Sequence, residues 1–255
     1  MNYKLEGSGE TLVFIHGLSD NLLYWEFLAN HLKGNYQILR IDLRGHGGSE
    51  LGNDEITIDT YVLDLKNLLD ELKIQNVNLI GFSLGGIVAL DFNRKYPKMV
   101  SSLVLMSSFY KLNGHLEEVF VQFKNALENS FNDFYDLILP RVLCPNVIND
   151  NKEELEFLKG IASETANTKA YIKAIDALSS ADFEDDLSHI KIPTLILVGK
   201  YDDITPVDLQ KELKSKVDNS ELIIFDDTKH NLLVGKNQLE ILNILKNFYK
   251  KRKEE

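Results

Sequence analysis

The stretch Val77-Asn78-Leu79-Ile80-Gly81-Phe82-Ser83-Leu84-Gly85-Gly86 decides the fold of this chain. It begins with a short apolar run of strand length, Val77–Ile80. Beyond the turn, apolar residues recur at helical spacing until Pro97, which ends the helix. Gly81 and Gly85 lack the Cβ atoms that would clash in a tight turn. The stretch therefore predicts a strand that turns sharply into a helix and exposes the side chain of Ser83.

Similar runs occur along the rest of the chain. Five more stretches have the length and continuous hydrophobicity of strands buried on both faces: Thr11–Ile15, Gln37–Ile41, Leu103–Met106, Thr194–Val198 and Leu222–Phe225. Helical patterns lie between them, for example at Tyr61, Leu65, Leu68 and Leu72. Alternating strands and helices predict an α/β fold with a mostly parallel central sheet flanked by helices.

The alternation stops between Phe109 and Leu187, where helical stripes replace the strand patterns. It resumes at Ile192-Pro193-Thr194. We predict a helical insertion over residues 109–187, placed between two late strands. Residues 1–108 and 188–255 then form the core.

Composition and charge exclude several classes of protein. With 255 residues, 44% hydrophobic and 26% charged, the chain matches an ordinary globular protein. The net charge of −11 argues against a nucleic-acid partner, and the basic cluster Lys250–Lys253 is more typical of a solvated helix end. No apolar run approaches the ~18–20 residues that span a bilayer, so we expect no membrane partner. The N-terminus lacks a signal-peptide pattern and Cys144 is the single cysteine, so we expect a cytoplasmic location.

The segment Gly81–Gly85 also matches the G-x-S-x-G motif of a nucleophile elbow, in the strand–turn–helix context that this motif requires. A glycine-rich turn with an incidental serine is the alternative, and the spacing does not fit a dinucleotide-binding loop. The helix that follows offers the backbone N–H of Leu84 to a developing oxyanion. Ser83 is therefore the candidate nucleophile.

A serine nucleophile needs a base that is held by a third group. His230 lies beyond the run Leu222–Phe225, and Asp202 and Asp203 lie beyond Thr194–Val198. Open α/β sheets place their sites beyond the carboxyl ends of strands. The chain order serine, aspartate, histidine predicts a triad in which either aspartate is the acid.

A second oxyanion donor is expected from the loop His16-Gly17-Leu18, which follows the run Thr11–Ile15. The backbone N–H of Leu18 is suitably placed for this role. We interpret His16 as an orienting or packing residue rather than as a base.

The chain resembles the α/β-hydrolase superfamily, in its lid-bearing branch of small esterases and lactonases. The matching motifs, in family order, are His16-Gly17, Asp42–Ser49, Gly81–Gly86, Ile192–Thr194 with Gly199–Asp202, and His230. The resemblance implies Ser83 as nucleophile, Asp202 as acid at the family spacing after Gly199, His230 as base, and Leu18 and Leu84 as backbone donors. It also implies that the insertion is a helical cap, that His46 is structural, and that no metal or organic cofactor takes part.

The chain departs from the family pattern in three places. The family begins with an extra antiparallel strand, but Tyr3–Glu6 lies only a short turn before Thr11, so we expect this first edge strand to be missing. Lys229 stands before the histidine, where glycine is frequent. Asn231 follows the histidine, where many carbon–carbon hydrolases have tryptophan. A serine at position 83 excludes the aspartate-dependent epoxide hydrolases and dehalogenases.

These features predict a carboxylesterase-like serine hydrolase that acts on a small-molecule ester or lactone. Alternatives on the same fold are a ligand receptor with little turnover, a thioesterase, a cofactor-free perhydrolase and a carbon–carbon hydrolase. Five aromatic residues are predicted to line an apolar substrate pocket: Trp25, Phe109, Phe120, Phe123 and Phe134. Packing in the core of the cap is the alternative role for most of them.

Overall fold

The computed structural model describes residues 1–53 and 55–254, without the side chains of residues 253 and 254. Residue 255 of the predicted core and the side chain of Lys253 thus lie outside the described part. The described residues form one sheet of seven strands: β1 (Tyr3–Gly7), β2 (Thr11–Ile15), β3 (Gln37–Ile41), β4 (Val77–Phe82), β5 (Val100–Met106), β6 (Thr194–Gly199) and β7 (Ser220–Phe225). The strand order is β1-β3-β2-β4-β5-β6-β7, and every pair except β1–β3 is parallel. The predicted α/β fold is confirmed.

Ten α-helices surround or extend the sheet in the described part of the chain: α1 (Glu26–Leu32), α2 (Ile58–Glu71), α3 (Leu84–Lys95), α4 (Gly114–Asn129), α5 (Phe131–Val142), α6 (Pro145–Asp150), α7 (Lys152–Thr165), α8 (Thr168–Ala177), α9 (Val207–Lys216) and α10 (Asn237–Glu254). None of the described helices is long and apolar enough to cross a membrane.

The sheet is covered on both faces, as continuous hydrophobic strands require. Side chains along a strand point alternately to the two faces. In β2, Val13 and Ile15 join a cluster with α2, α3 and α9, while Leu12 and Phe14 join a second cluster with α1 and α10. This layering leaves the carboxyl ends of the parallel strands as the edge where connecting loops meet.

The expectation of a missing antiparallel edge strand is wrong. Tyr3–Gly7 forms β1 and pairs antiparallel with β3, Tyr3 opposite Ile41 and Gly7 opposite Gln37. Thr11 of β2 pairs with the same Gln37 from the other side, so residues 8–10 pass over the start of β3. Gly7 makes this crossing possible with φ 74°, since a Cβ there would lie 2.3 Å from the carbonyl oxygen of Tyr36. The short turn therefore leads to a strand two positions away rather than to a hairpin.

Helices α4 to α8 lie between β5 and β6, so the insertion is helical, as predicted. Its two ends meet at an isolated bridge between Lys111 and Asp182 and at a hydrogen bond from Phe183 N–H to Tyr110 O of 2.9 Å. One apolar cluster runs from β2 and α3 into the insertion. The division of the chain at residues 109 and 187 therefore stays a prediction.

Candidate active site

Ser83 lies at the turn between β4 and α3, with φ 50° and ψ −115°. Such a backbone conformation costs a non-glycine residue about 1–3 kcal/mol and persists only where its surroundings enforce it. Here the N–H of Ser83 donates to Met106 O and its carbonyl accepts from Gly86 N–H, both at 2.9 Å. The carbonyl also accepts from the Ser108 hydroxyl at 2.9 Å. Among the described residues, no hydrogen bond involves the Ser83 hydroxyl, which leaves it available for a substrate.

Close contacts with backbone atoms explain why residues 81 and 85 of this turn are glycines. A Cβ on Gly85 would lie 2.1 Å from Ile15 O, and one on Gly81 would lie 2.4 Å from Gly85 O. Both distances are far below van der Waals contact, and both oxygens are backbone atoms of regular elements, β2 and α3. Glycine is therefore required at both positions for β2, β4 and α3 to meet as they do.

Asp202 and His230 form a hydrogen-bonded pair at the same edge of the sheet. His230 Nδ1 lies 2.9 Å from Asp202 Oδ2 and 3.1 Å from Oδ1, with the two side chains 5% and 0% exposed. The carboxylate also accepts from the N–H groups of Ile204 and Thr205 at 3.0 and 2.9 Å, and from the Thr205 hydroxyl at 2.8 Å. With Nδ1–H donating to the carboxylate, Nε2 of His230 is left as a proton acceptor.

Phe82 links this pair to the elbow. Its ring centroid lies 5.1 Å from that of His230 and 4.7 Å from that of Tyr24, against which it stacks. Phe82 directly precedes Ser83, so the imidazole packs against the residue next to the serine. The structure thus brings the three predicted triad residues to one edge of the sheet.

The two predicted oxyanion donors flank the elbow. Leu84 is the first residue of α3, and Leu18 follows Gly17, whose backbone packs so closely on Phe82 that a Cβ would lie 2.9 Å from the ring. In the described part of the chain, no hydrogen bond uses the backbone N–H of Leu18 or of Leu84. Both donors remain open for a ligand oxygen.

The imidazole of His16 contacts the backbone on both sides of the loop that carries Leu18. It is fully buried, with Nδ1 2.7 Å from Gly17 O, and Nε2 accepts from Leu43 N–H at 3.0 Å. Burial lowers the pKa of His16 to about 4 and, together with the neighbouring His16, lowers the pKa of His46 to about 3. Both imidazoles are neutral at physiological pH, and both nitrogens of His16 are occupied by the backbone, as expected for an orienting residue.

Asp203, the alternative acid, contacts no atom of His230 among the described interactions. Its carboxylate faces Arg141 at 3.7 Å and Lys229 at 3.8 Å, and its carbonyl lies 2.7 Å from His115 Nε2. The side chain is 49% exposed. Asp203 therefore belongs to the contacts between the acid loop and the cap.

The aromatic residues that were predicted to line the substrate pocket lie in two separate apolar clusters. Trp25 is fully buried on the face of α1 and α10, with its ring 5.1 Å from Phe14. The four phenylalanines lie in the other cluster as a chain of ring contacts of 5.6–6.0 Å: Phe109, Phe120, Phe123 and Phe134. Of these, Phe120 is the most exposed, at 6%. Their part in binding substrate stays a prediction.

Asp20 is a candidate site residue that the sequence reasoning missed. It lies two residues after Leu18, and the intervening Ser19 has φ 61°, which turns the chain back so that Asp20 Oδ2 would lie 3.4 Å from a Cβ on Gly17. Burial raises the pKa of the Asp20 carboxyl to about 7, against the opposing effect of His230. A carboxylate directly after the His-Gly loop was the only signal in the sequence.

This raised pKa gives a test of stability. The folded chain holds a proton on Asp20 up to about pH 7, whereas an unfolded aspartate loses it near ~3.9, so this residue lowers the stability as the pH rises from 4 to 7. Asp20→Asn should raise Tm by about 2–6 °C at pH 8 and leave it unchanged at pH 4. Scanning calorimetry at both pH values measures this, with the exposed Asp208→Asn as control; equal shifts in the two variants would contradict it.

The cap rests directly on the loop that carries the base. Lys229 Nζ donates to Pro140 O near the end of α5 at 2.6 Å, and Asn231 N–H donates to Val142 O at 3.0 Å. The Cys144 thiol adds a contact to Asp227 O at 3.3 Å. A cation at the carboxyl end of a helix is favourable. Lys229, which departs from the family pattern, therefore joins the end of α5 to the loop that carries His230.

Lys229→Met should loosen this attachment while keeping the length of the side chain. We expect limited proteolysis within residues 109–187 to become about 3- to 10-fold faster, since one charge-assisted hydrogen bond is lost. Lys200→Met is the matched control, because Lys200 pairs with Asp226 rather than with the cap. Equal cleavage rates in the two variants would show that Lys229 does not hold the cap.

A model of the α/β hydrolase fold family matches residues 10–236 of the chain. The chain therefore belongs to the α/β-hydrolase family. It is 29% identical over 238 residues to the AB hydrolase superfamily protein YisY of Bacillus subtilis, covering 88% of this chain and 86% of the relative. It is also 29% identical to the pimeloyl-[acyl-carrier protein] methyl ester esterase of Legionella pneumophila, with 90% and 92% coverage. A third relative, the non-heme chloroperoxidase CPO-A1 of Kitasatospora aureofaciens, is 27% identical, with 94% and 92% coverage.

Solved structures show the same fold. The α/β hydrolase enzyme MGS-M2, from a Medee basin deep-sea metagenome library, superposes with a TM-score of 0.90 at 24% identity. The match covers 98% of this chain and 94% of that one. The chain therefore has the fold of that α/β hydrolase over nearly its whole length.

Proposed function

We propose that this protein is a carboxylesterase-like serine hydrolase that cleaves a small ester or lactone through an acyl-enzyme. The observation that carries the proposal is the Asp202–His230 pair, held at 2.9 Å beside the strained turn of Ser83 with the Nε2 nitrogen free. A serine hydroxyl becomes a useful nucleophile only with such a base at hand. The relatives named for ester hydrolysis support the substrate class. The cytoplasmic location expected from the sequence stays a prediction.

The proposed reaction follows from the geometry. Ser83 Oγ attacks the carbonyl carbon while His230 Nε2 takes its proton, and the oxyanion accepts hydrogen bonds from the N–H groups of Leu18 and Leu84. Asp202 keeps Nδ1 protonated and stabilises the imidazolium. The imidazolium then gives its proton to the departing alcohol oxygen as the carbon–oxygen bond breaks. A water molecule, deprotonated by His230, attacks the acyl carbon and releases the acid and the free serine.

Perhydrolysis is a second candidate, favoured by the similarity to the non-heme chloroperoxidase. In that reaction hydrogen peroxide would replace water as the acceptor of the acyl group. Its attack on the acyl-enzyme releases a peracid and restores Ser83. The same triad and oxyanion donors serve both reactions, and only the second nucleophile differs.

The test combines covalent labelling with turnover. A fluorophosphonate probe should modify Ser83, located by peptide mass spectrometry, and the protein should hydrolyse p-nitrophenyl or methyl esters of short acids. Labelling without turnover of any ester or lactone would favour the receptor alternative. The absence of both labelling and turnover would overturn the proposal. Peracid formed from a carboxylic acid and hydrogen peroxide, faster than ester hydrolysis, would favour the perhydrolase.

A further inference from the structure

Gln210 is a fully buried polar residue outside the proposed triad. It lies on α9, where it is buried together with Leu209 and Leu213. Its Nε2 donates to Ser108 O at 2.5 Å and to Thr205 O at 3.4 Å, whereas no hydrogen bond reaches its Oε1 within the described part of the chain. A buried acceptor without a partner costs free energy that an apolar residue would avoid, so a glutamine at this position needs a reason.

One end of this contact lies beside the nucleophile. The β5–β6 ladder ends at Met106, and Ser107 then has a left-handed conformation with φ 45°, so Ser108 lies beyond the ladder. The Ser108 hydroxyl donates to Ser83 O, and Ser83 N–H donates to Met106 O, both at 2.9 Å. The bond from Gln210 is the one described hydrogen bond that the Ser108 carbonyl accepts. Gln210 therefore fixes the segment that supports the backbone of Ser83.

The other end of the contact belongs to the loop of the acid. Helix α9 follows directly after Thr205 and Pro206, and Gln210 N–H donates to Pro206 O at 3.3 Å. Thr205 donates to the Asp202 carboxylate from its N–H at 2.9 Å and from its hydroxyl at 2.8 Å. The Thr205 hydroxyl also lies 3.4 Å from His230 Nδ1. Gln210 thus joins the loop that holds the acid–base pair to the segment that holds the elbow.

We propose that Gln210 is a positioning residue that aligns Ser83 with the Asp202–His230 pair. Ser83 follows β4, whereas Asp202 and His230 follow β6 and β7, with β5 between the two groups. The bond from Gln210 to Ser108 connects these groups beyond the end of the β5–β6 ladder. Proton transfer from serine to imidazole needs hydrogen-bond reach, so a small displacement lowers the rate. This inference rests on the proposed function for the roles of the triad residues.

The first test measures how fast a fluorophosphonate probe labels Ser83. Gln210→Met keeps the length of the side chain and removes its donor. The rate constant of labelling and kcat for a small ester should both fall by on the order of 10²-fold, the loss expected from a misplacement of about 1 Å. KM should stay within about twofold and the final labelled fraction should match that of the parent. A lower labelled fraction and Tm with an unchanged rate constant would indicate a purely structural role and overturn the proposal.

Gln37→Met is the matched control. Gln37 is the first residue of β3, at the opposite edge of the sheet, and its Oε1 accepts from the Thr11 hydroxyl at 2.8 Å. This variant should label and hydrolyse at the parent rates, and equal losses in the two variants would contradict the proposal. If Gln210→Met does not fold, Gln210→Asn replaces it, because an amide drawn back by one methylene no longer reaches both carbonyl oxygens. Parent rates in that variant would be equally decisive against the proposal.

A double variant tests whether Gln210 acts through the acid–base pair. In the Asp202→Asn background, Gln210→Met should slow labelling by less than about threefold, because the pair that Gln210 aligns is already disrupted. The same fold-loss in both backgrounds would show that Gln210 acts independently of Asp202, which the proposal does not allow.

A proton NMR spectrum keeps this inference separate from the proposed function. The Nδ1 proton of His230, in a buried hydrogen bond to a carboxylate, should give a downfield resonance that Asp202→Asn removes and thereby assigns. This resonance should shift or broaden in Gln210→Met and stay unchanged in Gln37→Met. If the parent is neither labelled nor active on any ester, the proposed function fails, while the resonance still decides the role of Gln210. An unchanged resonance in Gln210→Met would overturn that role.

Discussion

Ser83→Ala is expected to abolish ester hydrolysis and fluorophosphonate labelling while the fold stays intact. Oγ is the only non-hydrogen atom removed, and under the proposed mechanism it forms the bond to the acyl group. Loss of a serine nucleophile from a complete triad lowers kcat by on the order of 10⁶-fold. The side chain makes no hydrogen bond among the described residues, so circular dichroism and Tm should match those of the parent.

Ser108→Ala provides the matched control. Ser108 is a buried serine in the segment that follows β5, and its hydroxyl donates to the carbonyl of Ser83 at 2.9 Å. Its loss should weaken the support of the elbow and lower the rate only modestly, with labelling retained at Ser83. A Ser83→Ala protein that hydrolyses esters at the parent rate, after purification free of host esterases, would remove Ser83 from the mechanism.

Much of the fold follows from local sequence patterns. The six apolar runs predicted as strands are all strands, and the bounds of Thr11–Ile15 and Gln37–Ile41 coincide with those of β2 and β3. They were predictable because parallel strands buried on both faces need continuous hydrophobicity, which few other elements show. The turn at Ser83 was predictable because its two glycines stand between a strand pattern and a helical pattern, although the backbone contact that requires Gly85 comes from Ile15 on β2.

Contacts between distant segments were not predictable in this way. The pairing of β1 with β3 depends on where residues 8–10 lead the chain, which periodicity does not encode. The face on which Trp25 lies depends on the packing of α1 against the sheet. The contact of Lys229 with Pro140 joins residues 89 positions apart, and no local pattern indicates it.

Some features of the candidate site were also predictable from the sequence, and others were not. Ser83 and His230 follow strands whose ends the sequence marks, so their proximity could be expected from topology. The two adjacent aspartates left a choice that depends on the direction of each side chain. In the structure Asp202 turns inward to His230, whereas Asp203 turns outward to Arg141 and Lys229.

This difference leads to the second large expected effect. Asp202→Asn should lower kcat by on the order of 10⁴-fold, as in the best-studied serine protease triad. The Asp202 carboxylate accepts from His230 Nδ1, from the N–H groups of Ile204 and Thr205, and from the Thr205 hydroxyl. An asparagine NH₂ is a donor and cannot accept from any of them. One contact is lost, or the imidazole changes tautomer and Nε2 no longer accepts the serine proton.

Asp203→Asn is the matched control, since it makes the same chemical change one residue further on. Asp203 is 49% exposed and faces its two cations at 3.7 and 3.8 Å, so its loss should change kcat by only a few-fold. Steady-state kinetics on one small ester, with Tm to verify folding, compares the two variants. A large loss in Asp203→Asn with little effect in Asp202→Asn would transfer the role of the acid to Asp203. Small effects in both would mean that His230 works without either carboxylate, because the structure places no other acid within hydrogen-bond distance of its Nδ1 among the described residues.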